Sequence, residues 1–164
     1  MYKTTLTAVA LLLGSFAQTP AMAGPDGKQI ATQGQGGVPC MACHGDHGQG
    51  SDAGGFPSLA GMDADYLSRQ LLAFKSGGRQ SPVMAPQAKP LDEAAIKAVA
   101  SYYAGLPAVT SKPAVTPSAD ELQRGQALAT QGRWADDIPA CVQCHGPGGR
   151  GIAPHFPRLG AAAA

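Results

Sequence analysis

Apolar and polar positions divide the chain into stretches of different character. Leu6 to Phe16 is almost uniformly apolar, with Lys3 ahead of it and Ala21-Met22-Ala23 behind it. A short apolar run after a basic residue, closed by an A-x-A site, predicts a secretory signal peptide over 1–23; the run is too short for a stable membrane span. Farther on the apolar period becomes helical. Leu67, Leu71 and Phe74 fall on one face of a helix that Asp63 can cap and that runs to about Lys75. Ile96, Val99 and Tyr103 fall on one face of another, capped by Asp92, with Gly105 just past its end. No convincing run of buried strands occurs, so the pattern predicts an all-α chain.

The pattern also repeats. Gly27-Lys28-Gln29-Ile30-Ala31-Thr32-Gln33-Gly34 matches Gly125-Gln126-Ala127-Leu128-Ala129-Thr130-Gln131-Gly132, and Phe56-Pro57-Ser58-Leu59 matches Phe156-Pro157-Arg158-Leu159. Each copy reads as short helix, glycine stop, loop, and F-P-x-L. Between the copies, Pro107, Pro113 and Pro117 stand among small polar residues and predict an extended, semi-rigid linker. The expected organisation is a signal peptide over 1–23, a first domain over 24–106, a Pro-rich linker over 107–119 and a partial second domain over 120–164. After Leu159 only Gly160 and Ala161 to Ala164 follow, whereas the first copy continues through both capped helices to Leu106. The second domain is therefore read as incomplete at its C-terminus.

Composition changes this picture little. Lys and Arg total 12 against 11 acids, which leaves no basic field for nucleic acid. Gly at 22, Pro at 14 and few aromatics would struggle to fill a core from protein alone, so a buried prosthetic group is expected to supply apolar volume.

That group is indicated by what lies between the repeated segments. Cys40-Met41-Ala42-Cys43-His44 recurs as Cys141-Val142-Gln143-Cys144-His145, and these motifs use all four cysteines. C-x-x-C-H is the signature of c-type haem attachment: each thiol adds to one vinyl group, and the histidine lies under the ring as an iron ligand. The competing readings are weaker. Zinc knuckles pair over about 15–20 residues, and here most of the first domain separates Cys43 from Cys141. A thioredoxin-like dithiol would sit near a βαβ pattern. Two disulfides would suit an oxidising compartment, but both histidine-terminated motifs argue for haem. Export also agrees, since thioether attachment of haem is ordinarily completed outside the cytoplasm.

His44 and His145 are the expected proximal ligands. The carbonyls of Pro57 and Pro157 suit the task of fixing each imidazole's second nitrogen, although a plain turn accounts for both prolines equally well. Met84, in the proline-braced segment Ser81-Pro82-Val83-Met84-Ala85-Pro86, is the candidate sixth ligand of the first haem; Met41 and Met62 are poorer placed. The second half has no methionine, and His155, just before Phe156-Pro157, is read with His47 as a surface or propionate-side histidine. Arg79 can pair with a haem propionate through its bidentate fork or stand as a solvated loop residue.

These motifs, with Tyr66, Gln70-Leu71, Phe74, Gly77-Gly78-Arg79, Met84 and Ala100-Ser101-Tyr102-Tyr103, resemble a class I cytochrome c, and the tandem arrangement resembles the dihaem cytochrome c4 family. The resemblance implies two all-helical domains, two haem c groups, His–Met iron in each domain and periplasmic electron delivery toward a terminal oxidase. By position it assigns Cys40, Cys43, His44 and Met84 to the first haem and Cys141, Cys144 and His145 to the second. The missing second methionine departs from the pattern. The expected function is electron carriage without catalysis, in contact with a terminal oxidase, a cytochrome bc-type complex or a dehydrogenase, with membrane association only through such complexes. The alternatives are a haem subunit of a periplasmic dehydrogenase such as a flavocytochrome, and an open second iron that acts on peroxide or binds a small gas.

Overall fold

A computed structural model describes residues 24–109 and 116–159. The expected signal peptide, the middle of the linker and the last five residues lie outside them. Among the described residues, no helix is long and apolar enough to cross a membrane, and β-structure is limited to isolated bridges.

Five helices build the first half: α1 (Gly27–Gln33), α2 (Met41–His44), α3 (Ala64–Ser76), α4 (Met84–Ala88) and α5 (Glu93–Ala104). Each longer helix starts where a short acidic side chain offers an acceptor. Asp26 accepts from the Lys28 N–H, Asp63 from that of Tyr66 and Asp92 from that of Ala95, satisfying amides that no helical carbonyl can reach. α3 stops at Gly77, whose φ of 81° is the left-handed conformation that glycine adopts without strain.

Helix α5 packs against both α1 and α3, and α3 packs in turn against α4. The core they enclose comprises Ile30, Ala31, Leu67, Leu91, Ala95, Ile96, Val99, Ala100 and Tyr103. The stripes read from the sequence are the core-facing ones, with Leu71 at the core margin and Phe74 buried. Alanines among them let the helices approach closely. At the α1–α5 crossing this reaches its limit: a Cβ on Gly27 would lie 2.1 Å from the Ala98 carbonyl oxygen. Because the obstacle is backbone, it cannot rotate aside. Gly27→Ala is therefore expected to cost about 1–3 kcal/mol, read as a lowered urea midpoint of the haem-loaded protein at unchanged m-value.

The second half contains α6 (Ala119–Gln131), α7 (Cys141–His145) and two short 3₁₀ turns at Trp134–Asp136 and Pro147–Gly149. α6 is longer than the repeat suggested. Ser118 and Glu121 form a reciprocal capping box that starts the helix six residues before the repeated segment, so Ser118 and Ala119 belong to α6 rather than to the linker. The hydrogen bond from the Ser118 hydroxyl, followed by that from its backbone N–H, holds the Glu121 carboxyl below its ordinary value. Among the described residues, α6 buries no side chain.

Candidate functional site

The site in the first half is built around α2. Cys40 stands at its N-terminal end, with Cys43 and His44 following one turn on. His44 is 6% exposed, the only polar or charged side chain buried among the described residues. Its Nδ1 lies 2.8 Å from the Pro57 carbonyl. A carbonyl only accepts, so Nδ1 carries the proton and Nε2 is left with its lone pair free. Phe56 meets the imidazole edge-on at 6.1 Å between ring centres. The Pro57 carbonyl is brought there by a tight loop. Gly50 N–H donates to the His44 carbonyl and Leu59 N–H to that of Gly48. Gly50 has φ 79°, and a Cβ there would meet the Phe56 carbonyl oxygen at 2.6 Å, so only glycine serves.

His44 faces a cavity of roughly 730 Å³. Cys40 and Cys43 line it from α2, Leu67, Leu71 and Phe74 from α3, Met84 from α4, and Val99, Ala100 and Tyr103 from α5. Burial pushes the Cys40 thiol above its ordinary value, its own backbone hydrogen bond acting the other way, and the Tyr103 hydroxyl stands nearby. That hydroxyl is buried without a hydrogen-bond partner, and burial pushes its phenol upward as well. Two thiols, a free imidazole nitrogen and a thioether converge on one apolar space, and that donor set fits a covalently held haem.

Met84 differs from its expected setting. The segment read as a loop forms the short helix α4, with Met84 its first residue and the Ser81 hydroxyl accepting the Met84 N–H at 3.0 Å. Pro86 does not prevent this, because in a first turn its missing N–H has no helical partner to lose. Arg79 also lines the cavity. Its guanidinium lies 4.6 Å from the Phe74 ring centre and donates to Gln70 Oε1 at 2.6 Å. It is therefore held at the rim rather than free in solvent, although its side chain remains exposed.

The second half reproduces the proximal arrangement. His145 Nδ1 lies 2.6 Å from the Pro157 carbonyl, and Phe156 meets the ring edge-on at 5.8 Å. Gly151 N–H donates to the His145 carbonyl, Leu159 N–H donates to that of Gly149, and Gly151 has φ 89°. Cys141 opens helix α7 and Cys144 follows one turn on. His155 and His47 are both exposed, and neither lines the cavity. All four cysteines are free, and among the described residues no three His, Cys, Asp or Glu side chains are grouped to hold a metal ion.

Sequence reading missed Gln87. Its Oε1 accepts the Val38 N–H at 2.8 Å across 49 positions, a contact that carries no local sequence signal.

The cytochrome c family model matches residues 25–106. The chain belongs to the cytochrome c family. Its likeness extends past that segment. It is 41% identical over 153 residues to the thiosulfate dehydrogenase electron acceptor of Stutzerimonas stutzeri (strain A1501), covering 92% of this chain and 68% of the relative. The protein of the same name from Thiomonas intermedia (strain K12) is 45% identical over 120 residues, 73% of this chain and 55% of the relative. This chain thus spans little more than half the length of the second and about two thirds of the first. Among solved structures, reduced recombinant cytochrome c4 from Pseudomonas stutzeri superposes with a TM-score of 0.68 at 28% identity, covering 84% of this chain and 73% of that one. This chain's cofactor is haem c, and the two C-x-x-C-H motifs lead to an expectation of two groups.

Proposed function

We propose that the cytochrome is an exported, periplasmic dihaem electron carrier that accepts electrons from a dehydrogenase, a thiosulfate dehydrogenase first among the candidates, and passes them toward a terminal oxidase. The observation that carries this reading is the shared cavity of Cys40, Cys43, His44 and Met84, with the His44 imidazole fixed by the Pro57 carbonyl. Bound haem supplies a one-electron couple at its iron. The chain's part is to hold and tune it. Cys40 and Cys43 attach it, His44 ligates the iron through Nε2, and the Pro57 carbonyl orients that ring and raises its basicity. Met84 supplies the soft sixth ligand, which raises the potential relative to a second histidine. With His44 and Met84 both engaged, bound haem would offer no place for a substrate, as a carrier requires. Cys141, Cys144, His145 and Pro157 perform the proximal part for the second haem. Arg79, stacked on Phe74, pairs with a propionate. The dehydrogenase end of the reading is supported by two relatives named as electron acceptors of thiosulfate dehydrogenase.

Anaerobic stopped-flow mixing of the oxidised holoprotein with a thiosulfate dehydrogenase and thiosulfate tests this directly. Reduction of the haem bands is expected. No reduction, in a sample that ascorbate reduces fully, would overturn the dehydrogenase assignment. Arg79 is the only charged side chain among the cavity-lining residues, so docking at this mouth has little charge to screen. The second-order rate is therefore expected to change less than about threefold between low and physiological salt, well short of the effect on electrostatically steered pairs. A second reading, a fixed haem subunit of the dehydrogenase, is favoured by the same relatives. It is separated from the first by co-elution of the two proteins as one complex on gel filtration.

A further inference from the structure

Helix α4, which carries Met84, has only five residues, too few to hold its own conformation in water. Side chains from elsewhere hold it. At its start, Ser81 accepts the Met84 N–H. Just past its end, the Lys75 ammonium of α3 donates to the Lys89 carbonyl at 2.8 Å and to the Leu91 carbonyl at 2.5 Å. Those carbonyls follow the last turn, where a cation also opposes the negative end of the helix dipole. In its middle, Gln87 reaches across to the Val38 N–H, two residues ahead of Cys40. A Cβ on Gly37 would stand 2.5 Å from Gln87 Oε1, so a glycine leaves room for this reach. The methionine-bearing helix is thus tied to α3 on one side and to the haem-attachment segment on the other.

We propose that Lys75 and Gln87 are positioning residues that set how firmly Met84 stays on the first haem iron. This rests on the reading of Met84 as the sixth ligand. With haem bound, the Met84 sulfur would be withdrawn whenever α4 swings away, and an added ligand such as imidazole would compete for its place. Its apparent affinity scales with the fraction of molecules that are open. Losing one anchor raises that fraction without changing the iron, the haem or the sulfur. Lys75 does not line the cavity, and Gln87, which does, has its Oε1 taken by the Val38 N–H, so both act through α4.

The test uses the full holoprotein, matured with haem, as wild type, Lys75→Met, Lys75→Arg, Gln87→Leu and Gln87→Glu. Each is titrated in its ferric state with imidazole while the red charge-transfer band of thioether-bonded iron is followed. Met84→His, which removes the thioether of the first haem, is titrated alongside, and whatever band it keeps is subtracted as the second haem's. Lys75→Met and Gln87→Leu are each expected to bind imidazole about tenfold more tightly, as loss of one hydrogen-bonded anchor implies. Lys75→Arg keeps a donor and Gln87→Glu keeps an acceptor, so both are expected to stay near wild type. A merely structural role would lower the urea midpoint and leave imidazole affinity unchanged. Wild-type affinity in Lys75→Met and Gln87→Leu, with the band intact, would overturn the proposal alone. Absence of the band from wild type would overturn the Met84 reading and the proposal with it. If Lys75→Met fails to mature, the Gln87 pair decides the matter by the same criteria.

Discussion

A chain in which Cys40 and Cys43 are both alanine is expected to lose its first haem, and with it the protected core of its first half. The reason lies in volume. The cavity that His44 faces is roughly 730 Å³. Without haem the large apolar side chains that line it face water instead, each forfeiting up to about 1.5–3 kcal/mol of burial, and a few of them together are comparable to the whole stability of a domain of this size. The remaining core cannot make up the difference, since it leans on alanines and on a single large fully buried side chain, Ile96. Covalent attachment keeps the filling group in place through every opening of the fold. Amide exchange checks this residue by residue: the N–H groups of Ile96, Val99 and Tyr103 should exchange slowly in the holoprotein and fast in the double variant. Unchanged protection in a variant shown to lack the first haem would contradict the account of the core. The second attachment motif keeps its own cysteines and should retain its haem.

Met84→His is expected to lower the potential of the first haem by on the order of 0.2 V, a fraction of the ~0.8 V over which axial ligands set haem potentials. A thioether is a weak donor that favours ferrous iron, whereas a second imidazole stabilises ferric iron. The substitution should leave the fold largely intact, because α4 is held by Ser81, Lys75 and Gln87 and not by Met84 alone. A spectroelectrochemical titration gives two waves for a dihaem protein, and only one of them should move. If neither wave moves, Met84 is not a ligand. If both move together, the haems are not independent in the way the separate motifs imply.

How much of this was legible beforehand depended on whether the signal was local. The caps at Asp63 and Asp92, the stripes of α3 and α5, and the paired C-x-x-C-H motifs are patterns within a few residues, and the structure carries each where the pattern put it. The repeated F-P-x-L segment was visible too, but its prolines fitted a plain turn as well as a histidine partner, and only the packed loop brings the Pro57 and Pro157 carbonyls to the imidazoles. Two local signals were misjudged. Prolines at 82 and 86 suggested a loop, yet both sit where a helix start tolerates them, and α4 forms. Ser118, inside what read as linker, forms a capping box with Glu121 just beyond it, and α6 starts there. The remaining contacts were beyond reach in principle. Lys75 to the carbonyls after α4, Gln87 to Val38 and Arg79 on Phe74 join parts of the chain whose proximity only the packed helices create.

Haem stoichiometry of the exported, mature holoprotein, by intact mass together with a haem absorbance assay, tests the central claim most directly. Two covalently bound haems per chain is the expected result. A single haem would contradict the dihaem reading and leave Cys141, Cys144 and His145 without their assigned role, and none, in a host competent for haem attachment, would contradict the identification of the cavity itself.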